Sequence, residues 1–322
     1  MATTVPEAVG KAPKSGKKPP MTASSRREAR TFYLVVSPWV IGLLVFTLGP
    51  LLFSLYISFT RWNILTPPIW IGLDNYVRMF TADPDFWQAM KVTTLYAVTS
   101  VPLRLGIALL LAVILNQATR LVGFYRTAFY LPAVVASTAA AVIWQWLFNP
   151  RFGPINQALD FFGIDGPAWF NDPDWALWGL VIMSAWGVGG EMLIFFAGLK
   201  GIPKTLYEAA EVDGASKLQR FWFVTIPMLT PTIFFNLILS IIGAFQTFDA
   251  AFVISTARAG SIGAPAKSTL FVMLKLYQEA FSFLNMGYAT AIAWVLFMII
   301  FVITMFVNSS SRRWVYSESA AE

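Results

Sequence analysis

The sequence contains no cysteine and no histidine among its 322 residues, and only 12% of the residues are charged. Without these two side chains the chain can form no disulfide, no cysteine nucleophile, no histidine metal site and no Ser-His-Asp triad. Hydrophobic residues make up 57% of the chain, more than a soluble domain carries. The composition therefore predicts a membrane protein and excludes most familiar enzyme chemistry.

Long apolar runs account for the hydrophobic excess. The first run, residues 32–59, is longer than the apolar region of a signal peptide and has no small-residue cleavage site after it, so we interpret it as a retained span. Five further runs of spanning length lie at 92–115, 124–147, 175–199, 225–252 and 287–307. We therefore expect an all-α integral membrane protein with about six transmembrane helices.

The two ends of the chain are polar and flank this transmembrane domain, which we place at residues 32–308. Residues 1–31 are rich in Lys, Pro, Ser and Ala and predict a disordered cytoplasmic tail, and residues 309–322 predict a second cytoplasmic tail. ATP binding needs a glycine-rich loop with Lys and then Ser or Thr, and residues 10–18 have the wrong glycine spacing and end on two lysines. We expect no cofactor in this chain.

The distribution of positive charge predicts the orientation. With the N-terminus inside the cell, the inner segments carry 15 Lys and Arg residues and the outer segments carry 7. Inner loops of membrane proteins carry the excess of Lys and Arg. The net charge of +6 therefore orients a multi-pass protein with both termini in the cytoplasm, and we expect no nucleic-acid partner.

The loop between spans four and five, residues 200–227, contains a short predicted helix. Thr205, with Glu208 three residues later, is a capping box that predicts a helix beginning at Leu206. Asp213-Gly214 supplies a stop signal, and Ser216 with Gln219 repeats the start signal. A helix of about two turns is marginal in water by itself, so we expect it to dock into a partner.

The same loop resembles the cytoplasmic loop of binding-protein-dependent ABC permeases. The family pattern is EAA, three residues, Gly, nine residues, Ile, one residue, Leu and Pro, and it is matched here by Glu208, Ala209, Ala210, Gly214, Val224, Ile226 and Pro227. Segments 129–132, 144–156 and 287–289 are also similar to this family, whereas residues 258–266 depart from it. The surrounding residues look like the carbohydrate branch, which includes the maltose and glycerol-phosphate permeases.

The resemblance implies a type I ABC importer permease fold in which the short helix couples the membrane domain to an ATPase. The residues carried over to this role are Glu208, Ala209, Ala210, Asp213, Gly214 and Pro227. Implied partners are a second homologous permease, two ATPase subunits that bind ATP and Mg, and an extracellular or periplasmic solute-binding protein. The implied location is the bacterial or archaeal cell (inner) membrane.

Two faces of small and polar residues indicate a pathway through the membrane. On span five these residues recur at intervals of three and four, which places them on one side of a helix: Asn236, Ser240, Gly243, Ala244 and Thr247. Span four offers Trp186, Gly187, Gly190 and Glu191. The glycines alone are typical of close helix packing, but an intramembrane carboxylate marks a site or pathway. Hydroxyls, amides, a carboxylate and an indole suit a carbohydrate, and in the resembling maltose permease these two helices hold the sugar.

We therefore expect the membrane-spanning permease subunit of an ATP-driven importer for a sugar or related polyol. The alternative is a secondary transporter or channel driven by an ion gradient, which would use Glu191 and Asp249 as an acidic relay. A membrane-embedded enzyme is the third reading, and it lacks a nucleophile and base. Arg104, within span two, has two readings, pairing with a carboxylate or lining the cavity, and we favour a structural salt bridge.

Overall fold

The computed structural model describes residues 23–117, 121–259 and 261–316. The glycine-containing string at 10–18, the rest of the segment 1–22 and residues 317–322 lie outside the described residues. The chain divides into two units, residues 1–54 and 55–322. Within the described residues the chain is helical apart from its loops and one pair of two-residue strands.

The first helices are α1 (Ala23–Leu43) and α2 (Gly49–Ser58), joined by a π-helical turn at Leu44–Leu48. Residues 23–31, which we expected in the disordered tail, belong to α1. The physical reason is that Arg, Ala and Glu are good helix formers and the apolar helix that follows already supplies the nucleus. The π-helical turn comes directly before the first turn of α2, where Pro50 supplies no N–H to the helix.

A small hairpin follows α2. Strand β1 (Thr60–Arg61) pairs antiparallel with β2 (Ile69–Trp70), and helix α3 (Asp74–Thr81) comes next. The buried amide of Asn75 donates hydrogen bonds to the carbonyls of Ser58 and Thr60, at 2.8 and 2.9 Å. This single side chain therefore fixes α3 against the start of the hairpin.

The longest helix is α4 (Pro84–Gln117), with 34 residues. After it come two bent helix pairs, each apolar enough to form one span: α5 (Val122–Val134) with α6 (Ser137–Leu147) at 95°, and α8 (Pro173–Trp186) with α9 (Gly189–Gly201) at 46°. Four further stretches of the described chain are long and apolar enough to cross a membrane. When each bent pair counts as one span the total is six, which confirms the predicted number.

Short elements connect the spans. Between the bent pairs lie α7 (Pro154–Phe161) and a 3-10 turn (Trp169–Asn171). The loop after α9 holds α10 (Lys204–Val212), α11 (Lys217–Arg220) and a π-helical turn (Phe221–Thr225). The chain then runs through α12 (Ile226–Phe245), α13 (Asp249–Ala259), α14 (Val272–Tyr277), a π-helical turn (Gln278–Ser282) and α15 (Met286–Ser311).

The C-terminal end turns back onto α12. Helix α15 continues three residues past the expected end of the membrane domain at residue 308, and residues 312–316 follow it. The ring of Trp314 packs edge-on against Phe234, with 6.1 Å between centroids. The backbone N–H of Tyr316 donates a 2.9 Å hydrogen bond to the hydroxyl of Thr230. The end of the described chain is therefore fixed near the beginning of span five.

Helix α4 organises the apolar core because it passes through both of its parts. Its N-terminal half packs with α8, α14 and α15, where Phe86, Phe271 and Ile292 are almost fully buried. Its C-terminal half packs with α9 and α12 around Leu115, Met192, Phe195 and Leu229. Between these two parts the helices α4, α9 and α12 enclose polar side chains.

Candidate substrate cavity and coupling loop

The polar faces predicted on spans four and five meet in one cavity of about 360 Å³. It is lined by Tyr96, Ser100, Arg104, Gly190, Glu191, Ile194, Asn236, Leu239, Ser240, Gly243, Ala244 and Thr247. Seven of the nine predicted pathway residues are in this set. Trp186 and Gly187 instead line an adjoining cavity of about 210 Å³, and Tyr96 and Arg104 contribute to both. We call the first space the Glu191 cavity.

The glycines distinguish open space from close packing. A Cβ added to Gly187, Gly190 or Gly243 would have no protein atom within 4 Å. By contrast, a Cβ at Gly189 would lie 2.7 Å from the carbonyl oxygen of Phe129, so this residue does serve close packing, against α5. The cavity interpretation therefore fits the three glycines that we assigned to the pathway.

The charged groups of the cavity are paired. Arg104 Nη2 donates to Glu191 Oε1, and Nη1 donates a 3.0 Å hydrogen bond to the carbonyl of Ser184. That carbonyl lies in the last turn of α8, where the break before α9 removes its normal helical partner. The expected salt bridge of Arg104 is thus present, and it also lines the cavity. The bend in span four creates the position at which both charges meet.

Sequence reasoning missed Tyr96 and Ser100 as cavity residues. A signal was available, because Tyr96, Ser100 and Arg104 are spaced by four and therefore lie on one face of α4. An aromatic residue, a hydroxyl and a charge in three successive turns form the same kind of pattern as the stripes on spans four and five.

Several buried polar atoms in the cavity have no hydrogen-bond partner. Within the described chain these are Ser100 Oγ, Asn236 Oδ1 and Ser240 Oγ. Ser100 is fully buried and Asn236 is 1% exposed. The amide nitrogen of Asn236 donates only a long 3.4 Å bond to the backbone carbonyl of Glu191. A buried polar group without a partner is costly, so these atoms have hydrogen-bonding capacity that the described chain leaves unused.

The acidic relay needed by the ion-gradient alternative does not form in this structure. Glu191 is paired with Arg104, whereas Asp249 accepts a 2.7 Å hydrogen bond from the hydroxyl of Ser137. Asp249 does not line the Glu191 cavity. Among the described residues there is also no group of three or more acidic side chains that could hold a metal ion.

The predicted helix in the loop 200–227 is present, but its start was wrong. Helix α10 begins at Lys204 after Pro203, and no side chain caps it. Pro203 sets an extended entry (φ −58°, ψ 132°), which places Thr205 inside the first turn instead of at the cap position. The predicted stop is confirmed, because Gly214 has the left-handed φ of 76° that glycine accommodates readily.

The second start signal in this loop is confirmed. The hydroxyl of Ser216 accepts from the N–H of Gln219, and the Gln219 side chain accepts from the N–H of Ser216 at 2.8 Å. Arg220 forms a 2.8 Å ion pair with Glu211, which ties α11 back to α10. The loop therefore holds a defined shape without any buried residue between positions 203 and 224.

The exposed surface of this loop carries apolar side chains. Val212 is 88% exposed and Leu218 is 67% exposed, and Glu208 is also exposed. Exposed apolar groups on a well-formed helical hairpin are typical of a surface that binds another protein. The sequence predicted helix α10 as a docking element. Helix α11, which the Ser216 capping box begins, makes the exposed surface wider.

A second charged cluster lies at the N-terminal end of α4, away from the Arg104–Glu191 pair. Lys275 Nζ lies 2.8 Å from Glu279 Oε1 and 3.0 Å from Asp83 Oδ2, and the Tyr288 hydroxyl donates to Asp83 at 2.6 Å. Asn285 completes the set by donating to Glu279 at 2.9 Å. We call this group the Lys275 cluster. All four titratable members are buried.

Hydrogen bonds within the Lys275 cluster favour the charged forms of Asp83 and Lys275. Burial raises the pKa of Asp83, but hydrogen bonds from Tyr288 and Lys275 outweigh it and hold that pKa below its ordinary value. Burial likewise lowers the pKa of Lys275, and the hydrogen bonds with Glu279 and Asp83 reverse this, so its pKa is raised. The cluster joins the start of α4 to α14 and α15.

Six apolar spans, a polar cavity between α4, α9 and α12, and an exposed helical loop between two of the spans define a membrane component of a transport system. Residues 21–315 match the family described as binding-protein-dependent transport system inner membrane component, and the chain belongs to that family. It is a multi-pass inner-membrane permease component, and the enzymatic activity of such importers lies in a separate subunit.

Curated relatives cover nearly the whole chain. It is 47% identical over 301 residues to the probable ABC transporter permease protein YesP of Bacillus subtilis, covering 93% of this chain and 96% of the relative. It is 34% identical to the lactose transport system permease protein LacF of Rhizobium radiobacter, covering 91% and 99%. It is 34% identical to the sulfoquinovosyl glycerol transport system permease protein SmoG of Agrobacterium fabrum, covering 84% and 87%.

Solved structures agree on the fold. The structure matches a chain of a bacterial ABC transporter involved in the import of the acidic polysaccharide alginate, with a TM-score of 0.77 and 23% identity. The match covers 90% of this chain and 98% of that one. The predicted permease fold is confirmed.

Proposed function

We propose that this chain forms the translocation pathway for a saccharide in an ATP-driven importer, with the Glu191 cavity as the place where the saccharide passes. The observation that carries this proposal is the set of unpartnered buried atoms of Ser100, Asn236 and Ser240. The amide oxygen of Asn236 can accept a hydrogen bond, and the hydroxyls of Ser100 and Ser240 can donate or accept one. A saccharide presents many hydroxyl groups that can be the partners. The names of its relatives, which include lactose and sulfoquinovosyl glycerol permeases, support the substrate class.

The size and lining of the space also suit such a cargo. A volume of about 360 Å³, extended by the adjoining 210 Å³, lies in the range of small-molecule sites. Tyr96 lines both spaces and Trp186 lines the second, and their ring faces can stack on the apolar face of a sugar ring. Cargo of one or a few sugar units would fill the combined space.

Energy for transport enters through the loop 200–227 in this proposal. Glu208, the alanines that follow it and Gly214 form a short exposed helix with a fixed end, suited to insertion into a separate ATPase. Pro227 lies in the first turn of α12, so the loop is directly continuous with the helix that lines the cavity. A displacement of the loop by the ATPase would therefore move α12. Two ATPase subunits, a second permease and an external solute-binding protein complete the assembly.

The cavity test compares two cavity variants and one control variant. Each is measured in the transporter reconstituted with its ATPase and solute-binding protein. Gly243→Trp should fill the cavity and abolish saccharide uptake, and Glu191→Gln should reduce uptake, while both retain basal ATP hydrolysis. Gly106→Trp is the matched control, because Gly106 also faces open space but does not line the cavity. Normal uptake in both cavity variants would remove spans four and five from the pathway.

The coupling test uses Glu208→Ala and Gly214→Pro. Proline cannot adopt the positive φ of Gly214, so this change should distort the end of α10 and uncouple ATP hydrolysis from uptake. Lys217→Ala, in the same loop but outside the matched motif, should transport normally. Variants at positions 208 and 214 that bind the ATPase and transport at the normal rate would refute the docking role.

Orientation is tested by labelling single cysteines. The chain has no native cysteine, so Glu211→Cys and Asp172→Cys each give one reactive site. We expect an impermeant thiol reagent applied from outside to label position 172 and to leave position 211 unmodified. Rapid labelling at position 211 would overturn the topology inferred from the charge distribution.

A further inference from the structure

We infer that the saccharide carried by this permease bears a carboxylate, and that Arg104 recognises it with Glu191 as its resident counter-ion. This inference rests on the proposed function, and it narrows the substrate class to acidic saccharides such as those that contain a uronic acid. It is carried by the position and unused hydrogen-bonding capacity of Arg104 in the Glu191 cavity.

Arg104 has donors to spare. A guanidinium group has five N–H donors, and this one makes two hydrogen bonds in the structure, to Glu191 and to the Ser184 carbonyl. The remaining donors belong to a side chain that lines both adjoining cavities. Its side chain is 27% exposed, against 16% for Glu191, so the cation is more accessible than its partner. The planar fork of Arg binds carboxylates in a bidentate geometry.

The broken span places a helix N-terminus at the cavity. Helix α9 begins at Gly189 with no side-chain cap, and Gly190 and the acidic Glu191, both in its first turn, line the cavity. The first N–H groups of a helix lack internal partners and carry partial positive charge. In broken transmembrane helices such ends bind the anionic part of a substrate. Ser100 and Asn236, buried and unpartnered, supply the neighbouring polar contacts.

The charge balance favours one negative charge over two. Arg104 and Glu191 together are neutral, and they are the charged residues that line the cavity. A carboxylate adds a single negative charge that Arg104 and the helix end can share with Glu191. A phosphate monoester would bring nearly two negative charges into the same low-dielectric space beside Glu191, where repulsion is strong.

The experiment measures binding to the assembled transporter in lipid nanodiscs by calorimetry, without the solute-binding protein, so that only the membrane cavity selects the ligand. The probes are an oligosaccharide that contains one uronic acid residue and the same oligosaccharide with that carboxylate reduced to a hydroxymethyl group. We expect the wild-type transporter to bind the acidic form roughly tenfold more tightly or better, the scale of a charged hydrogen bond. Glu191→Gln should increase this preference because it removes the competing carboxylate.

The double variant Arg104→Gln/Glu191→Gln leaves no unpaired charge and should lose the preference while still binding the reduced form. Lys267→Gln removes an ion pair with Asp85 outside the cavity and should keep the preference. Equal binding of both probes to the wild type, or a preference that survives the double variant, would overturn the inference. If the double variant does not assemble, a weaker preference in Glu191→Gln would overturn it. Failure of both probes to bind wild type would instead count against the proposed function itself.

Discussion

The Glu191 cavity and the Lys275 cluster are built from similar groups but are completed differently. In the Lys275 cluster each carboxylate has at least two donors, and Lys275 bridges both acids. In the cavity the two charges pair, yet three buried polar atoms around them lack partners. A fully satisfied buried polar network makes the structure rigid. The Lys275 cluster is such a network, whereas the cavity has unused hydrogen-bonding capacity, which the proposed function assigns to the saccharide.

The largest effect is expected from Lys275→Met. Removing the cation leaves Asp83 and Glu279 buried without a counter-charge, which typically costs about 3–5 kcal/mol of folding free energy. We expect little folded protein, measured as the monodisperse fraction in detergent and its thermal unfolding midpoint. Lys267→Met is the control, since its exposed pair with Asp85 contributes about 1 kcal/mol or less. Wild-type stability in Lys275→Met would show that the cluster is dispensable.

The next effect compares two glycines. An added Cβ at Gly287 would overlap the carbonyl oxygen of Thr60, whereas a Cβ at Gly243 would meet no atom within 4 Å. Gly287→Ala should therefore destabilise the protein by about 1–3 kcal/mol, the usual range for overpacking. Gly243→Ala should leave stability unchanged. The comparison is made by thermal unfolding of both variants, and equal midpoints would contradict it.

An effect of comparable size separates satisfied from unsatisfied hydroxyls on α4. Thr93 Oγ1 donates to the Ala89 carbonyl at 2.8 Å and accepts from the N–H of Val272 at 3.0 Å. Thr93→Val leaves that N–H unpaired and should cost about 1–3 kcal/mol. Ser100→Ala removes a hydroxyl that has no partner, so it should keep stability and weaken saccharide binding. A loss of stability in Ser100→Ala equal to that in Thr93→Val would show that the cavity is structural.

The smallest effect concerns pH. Asp83 has a lowered pKa, so its stabilising contribution is complete above its ordinary value of 3.8 and is lost as the pH falls through the lowered pKa. Lys275 has a raised pKa, so its contribution is complete below 10.5 and is lost as the pH rises through the raised pKa. The chain has no histidine to titrate in between. We expect a flat thermal midpoint from about pH 5 to 9, and a transition inside this window would contradict it.

Sequence patterns predicted what depends on local periodicity. The small and polar stripe on span five follows from the helical repeat, and the exposed loop helix follows from its stop residue and length. The two capping boxes show the limit of such signals. The pair Ser216 and Gln219 forms the box, whereas Thr205 does not, because Pro203 has already started α10. A nearby proline therefore decides between equivalent local signals.

Long-range pairing could not be predicted from these patterns. Tyr288 and Asp83 are 205 positions apart, and their hydrogen bond depends on how α15 packs beside α4. Arg104 and Glu191 are 87 positions apart, and their meeting depends on the bend after Trp186. Arg104 and Glu191 both stand out as charged residues within their spans, whereas Asp83 and Tyr288 do not stand out, and in each pair only the tertiary structure brings the two residues together.

The turn that returns the chain to α12 at Tyr316 offers a spectroscopic consequence. The Tyr316 N–H binds the Thr230 hydroxyl, which itself donates to the Pro227 carbonyl at 2.6 Å. A fluorophore on a single cysteine at position 316 would thus be connected to Pro227, the last residue of the loop 200–227, through two hydrogen bonds. Because no native thiol competes for the dye, its emission could follow the turnover cycle in real time from a position outside the cavity.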